Sequence, residues 1–245
     1  MDETTSLFVN ASRFASQKGL SRFTRYLDPA QAHEAALVAR EYGVSFAAWG
    51  GYERAERVIG CFFPKGEEVS NDEYPLVCLS ARIATKFCHV THRDLLGAFM
   101  GLGLTRDCIG DIIIVSDRVY LFALEQTADF IVSSMTSAGK ASLSFEILDQ
   151  LPVLPEPSGT SFSQTVSSLR LDALLAAAYH LSRSEAATLI KAGGVKVNHL
   201  VEERTDFLVS EDSLLSVKGR GRVRFVRING TTKKQRIGVT FFRYE

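Results

Sequence analysis

The chain has no apolar run near the roughly 20 residues a membrane-spanning helix needs, because charge or glycine breaks each hydrophobic stretch. Its first residues, MDETTSLFVNASRFASQKG, open acidic and lack a long apolar core, which predicts no secretory leader, no membrane association and a cytoplasmic protein. The four cysteines, Cys61, Cys78, Cys88 and Cys108, make no CxxC pair, so buried reduced thiols are expected and a structural zinc site is not. GxSxG, HExxH and Walker patterns are missing. Gly101-Leu102-Gly103 has neither a third glycine nor a preceding strand, which removes a dinucleotide or methyl-donor site. Cys88 and His89 are adjacent and so poorly placed to ligate one metal together. No cofactor, metal or small-molecule substrate is implied.

What is present fits a globular protein: 46% hydrophobic and 23% charged residues, in 245 residues, are enough for about two domains, with three small ones as an option. The net charge of zero conceals a split. Residues 1–163 hold 14 Lys and Arg against 20 Asp and Glu, a balance of −6, whereas residues 164–245 hold 14 against 8, a balance of +6. Such asymmetry points to an anionic partner for the basic part.

The stretch 151–165 holds three of the six prolines along with Gly, Ser and Thr, and marks a boundary. A polar, turn-rich stretch at 64–75 marks a second. The expected division is an N-terminal α/β domain over 1–70, a middle domain over 71–152, a linker over 153–164 and a basic domain over 165–245, with α+β as the fold class. In the first part, Asp28 caps a helix with Pro29 at its first position and Gly43 as its stop, and strands flank Gly50-Gly51. The middle part reads strand, helix, strand, strand, helix, strand, with a hairpin near Asp117 and Arg118. That order predicts a ferredoxin-like sandwich, the plan RRM domains also use. The aromatic RNP1 signature is absent. Tyr120 and Phe122 share one strand face, where core packing is a stronger expectation than base stacking.

In the last part, Leu171, Leu174, Leu175, Ala178 and Leu181 have the spacing of one helix face. A second helix follows, with a Ser182/Glu185 capping box, Lys191 at its negative end and Gly193 as its stop. In VKVN, Val195 and Val197 point inward while Lys196 and Asn198 point outward. Lys218, Arg220, Arg222 and Arg224 occupy every second position; in an extended chain they lie on one face about 6.6 Å apart. From Lys218 to Arg243 there are nine Lys and Arg, Lys233 and Lys234 among them, and no Asp or Glu. Several such groups contact several phosphates at once and release counterions from each, so RNA or DNA binding outweighs a merely solvated face.

RLDALLAAAYHLSRSEAATLIKAGGVKVN resembles the S-four-type (αL) RNA-binding motif of ribosomal proteins, through Arg170-Leu171-Asp172, Ser182-Arg183-Ser184, Ala186, Leu189-Ile190, Gly193-Gly194 and Val195 to Asn198. The resemblance implies an RNA-facing surface on which Arg170, Arg183, Ser184, Lys191, Lys196 and Asn198 lie. Residues 92–112, residues 27–58 and the ending SVKGRGRVRFVRINGTTKKQR are similar to the YlmH family of bacterial proteins, in the same order along the chain. That likeness implies non-catalytic binding of structured RNA, rRNA and peptidyl-tRNA on the large ribosomal subunit, in quality control of stalled translation. It also makes His92 and Arg93 a candidate second RNA surface.

Two other readings remain open. The same RNA-binding motif accompanies pseudouridine synthases, and Asp94 and Asp111 are the available catalytic candidates; their surroundings do not match that family's Arg-Leu-Asp stretch. An interaction scaffold recruiting a partner through the acidic half is the other. His92-Arg93-Asp94 resembles a kinase catalytic loop, but Phe99 stands where that loop needs Asn.

Overall fold

The computed structural model describes residues 3–83, 90–150, 153–154, 158–232 and 235–244. The chain divides into two compact units, residues 1–155 and 156–245. Among the described residues no helix is long and apolar enough to cross a membrane.

The first unit opens with α1 (Glu3–Lys18), β1 (Arg22–Leu27), α2 (Pro29–Glu41), β2 (Ser45–Trp49) and β3 (Val58–Phe63). Asp28 caps α2 in a reciprocal box with Gln31, Pro29 supplies the first helical position, and Gly43 follows at φ +71°. The strands form an antiparallel sheet in the order β1-β3-β2. Strand alternation sends Phe62 to one face, where Phe8, Ala15, Ala35 and Ala39 of the helices bury it. Ile59, Cys61 and Phe63 go to the other.

The unit continues with β4 (Leu76–Arg82), α3 (His92–Gly101), β5 (Ile109–Val115), β6 (Arg118–Leu124), α4 (Glu125–Ser134), the two-residue β7 (Ser137–Ala138) and β8 (Ala141–Ser142), and β9 (Phe145–Ile147). The four-stranded sheet runs β5-β6-β4-β9 and is antiparallel throughout, which is the ferredoxin-like order. Leu79, Ala81, Val119 and Leu121 pack against α3 and α4. The opposite face, with Cys78, Phe122 and Leu124, packs against Tyr26, Ile59, Cys61 and Phe63 of the first sheet. The unit is therefore four layers, helices, sheet, sheet and helices, and its middle sheet is apolar on both sides. The thiols of Cys61 and Cys78 lie between the sheets, and burial pushes them up to about 11 and about 12. The middle sheet's central strands are thus unavailable as an RRM-type platform: Phe122 is fully buried and stacked on Tyr52 with centroids 5.2 Å apart.

A polar knot ties the two sheets together. The Asp111 carboxylate accepts from Tyr52 Oη at 2.9 Å, the Glu56 amide at 2.7 Å and the Arg57 amide at 3.2 Å. Arg57 reaches the carbonyls of Ile109, Tyr26 and Arg106 at 3.0, 3.2 and 3.1 Å. Burial holds the Asp111 carboxyl above the ordinary carboxylate range, against the pull of these donors. Gly51, at φ +99°, lies so close to Phe122 that a Cβ there would sit 2.3 Å from the ring. Replacing Asp111 with Ala leaves three donors without their acceptor. The expected loss is about 3 kcal/mol, read as a lower urea midpoint with an unchanged slope.

The second unit comprises β10 (Gly159–Val166), α5 (Leu171–Tyr179), α6 (Arg183–Lys191), β11 (Val195–Val197), β12 (Leu200–Val201), β13 (Ser213–Val217), β14 (Gly221–Thr231) and β15 (Ile237–Tyr244). Its six strands run β10-β15-β14-β13-β11-β12. The sequence expectation of a linker to residue 164 fails from Gly159 onward, since β10 pairs along its whole length with β15. Its Ser and Thr residues look loop-like in composition because Ser161, Ser163 and Thr165 occupy an exposed strand face, while Val166 enters the core. Leu171, Leu174, Leu175 and Ala178 of α5 and Ala186 and Ile190 of α6 bury Val195, Leu215, Val217, Val223, Phe225, Val239 and Phe241 on one face of the sheet.

Candidate nucleic-acid interface

Two capped helices and a glycine-bearing turn place the basic side chains. Ser182 Oγ accepts from the Glu185 amide at 3.2 Å, and Glu185 returns the contact to the Ser182 amide at 2.8 Å. This fixes the first turn of α6 and leaves Arg183 and Ser184 exposed on it. Asp172, 8% exposed in the first turn of α5, takes a 2.6 Å contact from Arg183 Nη2 and lies 3.7 Å from Arg170 Nε. The buried carboxylate thus holds Arg183 by a hydrogen bond and Arg170 by charge alone, since 3.7 Å is too long for one. The α5 amides of Leu171 and Asp172 bond to the carbonyls of Phe207 and Thr205, so this helix end is closed by protein.

Between β13 and β14 the chain turns at residues 218–220, with Gly219 at φ +76° and Gly221 at φ +80°. The Tyr179 hydroxyl, 3.0 Å from the carbonyls of both Leu215 and Gly221, pins the base of this turn to α5. The expectation that Lys218, Arg220, Arg222 and Arg224 share one face is corrected here. Lys218 and Arg220 are in the turn and exposed. Arg220 is close enough to α6 to add to the downward pull on the Glu185 carboxyl, behind the contacts from the Ser182 side chain and amide. Arg222 and Arg224 flank Val223, which faces the helices, and therefore point to the helix-free side of the sheet. There the Arg222 guanidinium lies over the Tyr244 ring at 5.7 Å. Arg224 donates to Tyr244 Oη at 2.8 Å and to Asp212 Oδ1 at 3.0 Å. The alternation of a strand separates what a count of every second residue joins when a turn intervenes.

Lys196 is exposed and pairs with Ser216, which pairs with Arg222, so it too belongs to the helix-free side. Asn198, at φ +47°, accepts from the Leu214 amide at 2.8 Å through its side chain; it closes the turn after β11. Lys191 is exposed in the last turn of α6. Lys233 and Lys234 lie outside the described residues. His92 and Arg93 are exposed in the first turn of α3, in the other unit, where Thr91 and Asp94 form a capping box. Arg93 borders an open groove of about 530 Å³ floored by Gly97 and Gly101.

Sequence reasoning does not single out Arg236 or His180. Both border a cleft of about 350 Å³ between α5 and β10, as does Arg183. Arg236 Nη2 donates to the Thr165 carbonyl at 2.7 Å. Arg236 is visible as one of the nine cations of the acid-free run, but nothing in the spacing shows that it returns to α5. On the helix side the arrangement is thus Arg170, Arg183, Arg220, Arg236 and Arg243, the last donating to the Ala178 carbonyl of α5 at 2.6 Å; these guanidiniums always carry charge and are shaped to pair with phosphate oxygens.

Residues 70–150 match the family model described as "Putative RNA-binding domain in YlmH", and residues 169–214 match the S4 domain. The chain is 39% identical over 232 residues to a Bacillus subtilis (strain 168) protein named ribosome-associated protein quality control protein P2, covering 94% of this chain and 90% of that one. A solved chain titled cell division protein ylmH from Streptococcus pneumoniae is 19% identical, with a TM-score of 0.48, over 60% of this chain and 93% of its own. The S4 match ends at residue 214, before the 218–220 turn, β14, β15 and Arg236.

Proposed function

The chain belongs to the YlmH family, and from that premise we propose that it binds structured RNA without catalysing a reaction on it. The partners in this reading are ribosomal RNA and peptidyl-tRNA on the large ribosomal subunit, in the cytoplasm, during quality control of stalled translation. The observation that carries it is the helix-side cluster: Arg183 held by the buried Asp172, Arg170 beside the same carboxylate, and Arg220 and Arg236 supplied by the basic run. A-form RNA is recognised largely by shape and phosphate position, which a rigid array of guanidiniums can match. The contact residues of this reading are Arg170, Arg183, Ser184, Lys191, Lys218 and Arg220, with Arg236 added. Lys196, Arg222 and Arg224 face the sheet's other side, and His92 and Arg93 supply a second surface in the first unit.

Two observations favour binding over modification chemistry. Asp111 is held by three donors in the joint between two sheets, and Asp94 is the reciprocal cap of α3. Each has a structural role that accounts for its position.

The test is sedimentation of cell lysate on a sucrose gradient, following the protein in each fraction. The wild type is expected with large subunits, and a variant carrying Arg183→Gln, Lys218→Gln, Arg220→Gln and Arg236→Gln is expected at the top. Wild-type protein found only at the top at low salt would reject the ribosomal partner.

A further inference from the structure

The α5–β10 cleft joins residues within the S4 match, Ala173 to Arg183, to β10 and Arg236, which lie outside it, and it combines three features. First, its floor is made of Ala173, Ala176 and Ala177, so α5 presents only methyl groups there. Second, Arg183 at the start of α6 and Arg236 just before β15 both line it, with His180, and none of the residues lining it is acidic. Third, both guanidiniums are already oriented, Arg183 by Asp172 and Arg236 by the Thr165 carbonyl, each through Nη2. A guanidinium has five N–H groups, so one anchoring contact leaves donors for a phosphate. Orientation before binding lowers the entropic cost of making that contact.

The volume of about 350 Å³ is near the lower end of small-ligand sites. It is enough for one nucleotide and too small for a base pair with its backbone. We propose that this cleft takes a single unpaired nucleotide of the bound RNA, its base against the alanine methyls and its phosphate between Arg183 and Arg236. The proposal rests on the RNA-binding reading above and adds a specificity to it: the second unit distinguishes RNA with a bulged or looped-out nucleotide from a continuous duplex. Duplex contacts alone read shape; an extruded base on the alanine floor, with Gln164, Thr165 and Ser167 beside it, adds a contact that a paired base cannot make.

The experiment uses the full chain and two hairpin RNAs, one with a single 2-aminopurine bulge and one fully paired. Affinity is measured by anisotropy and burial of the base by 2-aminopurine fluorescence. The wild type is expected to bind the bulged RNA about tenfold more tightly, from burying one base on the alanine methyls and pairing one further phosphate, with a change in fluorescence. Ala177→Leu fills the cleft without altering charge and keeps a good helix former in α5. It is expected to abolish the preference and the fluorescence change while leaving affinity for the paired hairpin within twofold. Arg236→Gln, at an exposed position where folding is not at risk, is expected to reduce the preference as well.

Equal affinity of the wild type for both hairpins, with salt-sensitive binding retained, would overturn the cleft proposal and leave the RNA-binding reading standing. No binding to either hairpin at low salt would overturn both. Displacement of the bulge signal by millimolar adenosine 5′-monophosphate would mark the site as one for free nucleotides and also overturn the proposal.

Discussion

Changing Arg183, Lys218, Arg220 and Arg236 together to Gln is expected to weaken binding to structured RNA by about 10³-fold at 0.1 M salt, and to flatten the slope of log affinity against log salt by about 3. Arg183 and Arg236 border the α5–β10 cleft, Arg220 lies near α6, and Lys218 is exposed in the same turn as Arg220. Each neutralised phosphate contributes roughly 0.9 to the slope in a double helix, so the change in slope measures how many phosphates these four cations neutralise. Measurement at several salt concentrations separates this from unfolding, which changes the active fraction and leaves the slope alone. The comparison is Arg222→Gln with Arg224→Gln, on the other side of the sheet. Arg224 is already paired with Asp212 and bonded to Tyr244, and Arg183 is likewise paired with Asp172, so each counts for less than a full cation before any RNA arrives. The pair is expected to change the slope by about 1 or less. If the second variant flattens the slope more than the first, the helix-free face is the principal RNA surface.

This contrast also marks where the sequence stops being a guide. The cap at Asp28, the capping box at Ser182 and the stop glycines Gly43 and Gly193 are local signals, and the structure holds each of them at its helix end. The strand and helix order of the middle domain is local too, and with the usual connection rules it leads to the β5-β6-β4-β9 sheet. The misses are of another kind. The 159–164 stretch looks like linker because half of an edge strand faces water. Asp111 stands out in the sequence as a lone carboxylate, whereas its function in the fold depends on Tyr52, Glu56 and Arg57, more than fifty residues away. Arg236 reaches Thr165 across 71 residues. Periodicity reports which face a residue occupies; it carries no information about which distant element covers that face.

Phe122 makes the same point with the largest expected effect on stability. From the strand pattern it is either a core residue or, with Tyr120, a platform for bases. In the fold it is fully buried between the two sheets of the first unit, stacked on Tyr52, with Gly51 against its ring. Phe122→Ala is expected to cost about 4 kcal/mol, the usual range for deleting a buried aromatic, because neither sheet can move in to fill the space. Against a total of roughly 5–15 kcal/mol for a domain, that is a large share. With a urea slope of about 2 kcal/mol per molar, the midpoint of the first unit's transition should fall by about 2 M. Tyr120 is only half-buried, and Tyr120→Ala should lower the midpoint by much less. RNA affinity, measured well below the midpoint and corrected for the folded fraction, should stay within twofold for both variants, since the second unit has its own core and carries the arginine cluster. The result that would reverse this account is a Phe122→Ala protein of unchanged stability that no longer binds RNA. The face between the sheets would then have to open, and the middle sheet would be a nucleic-acid platform after all.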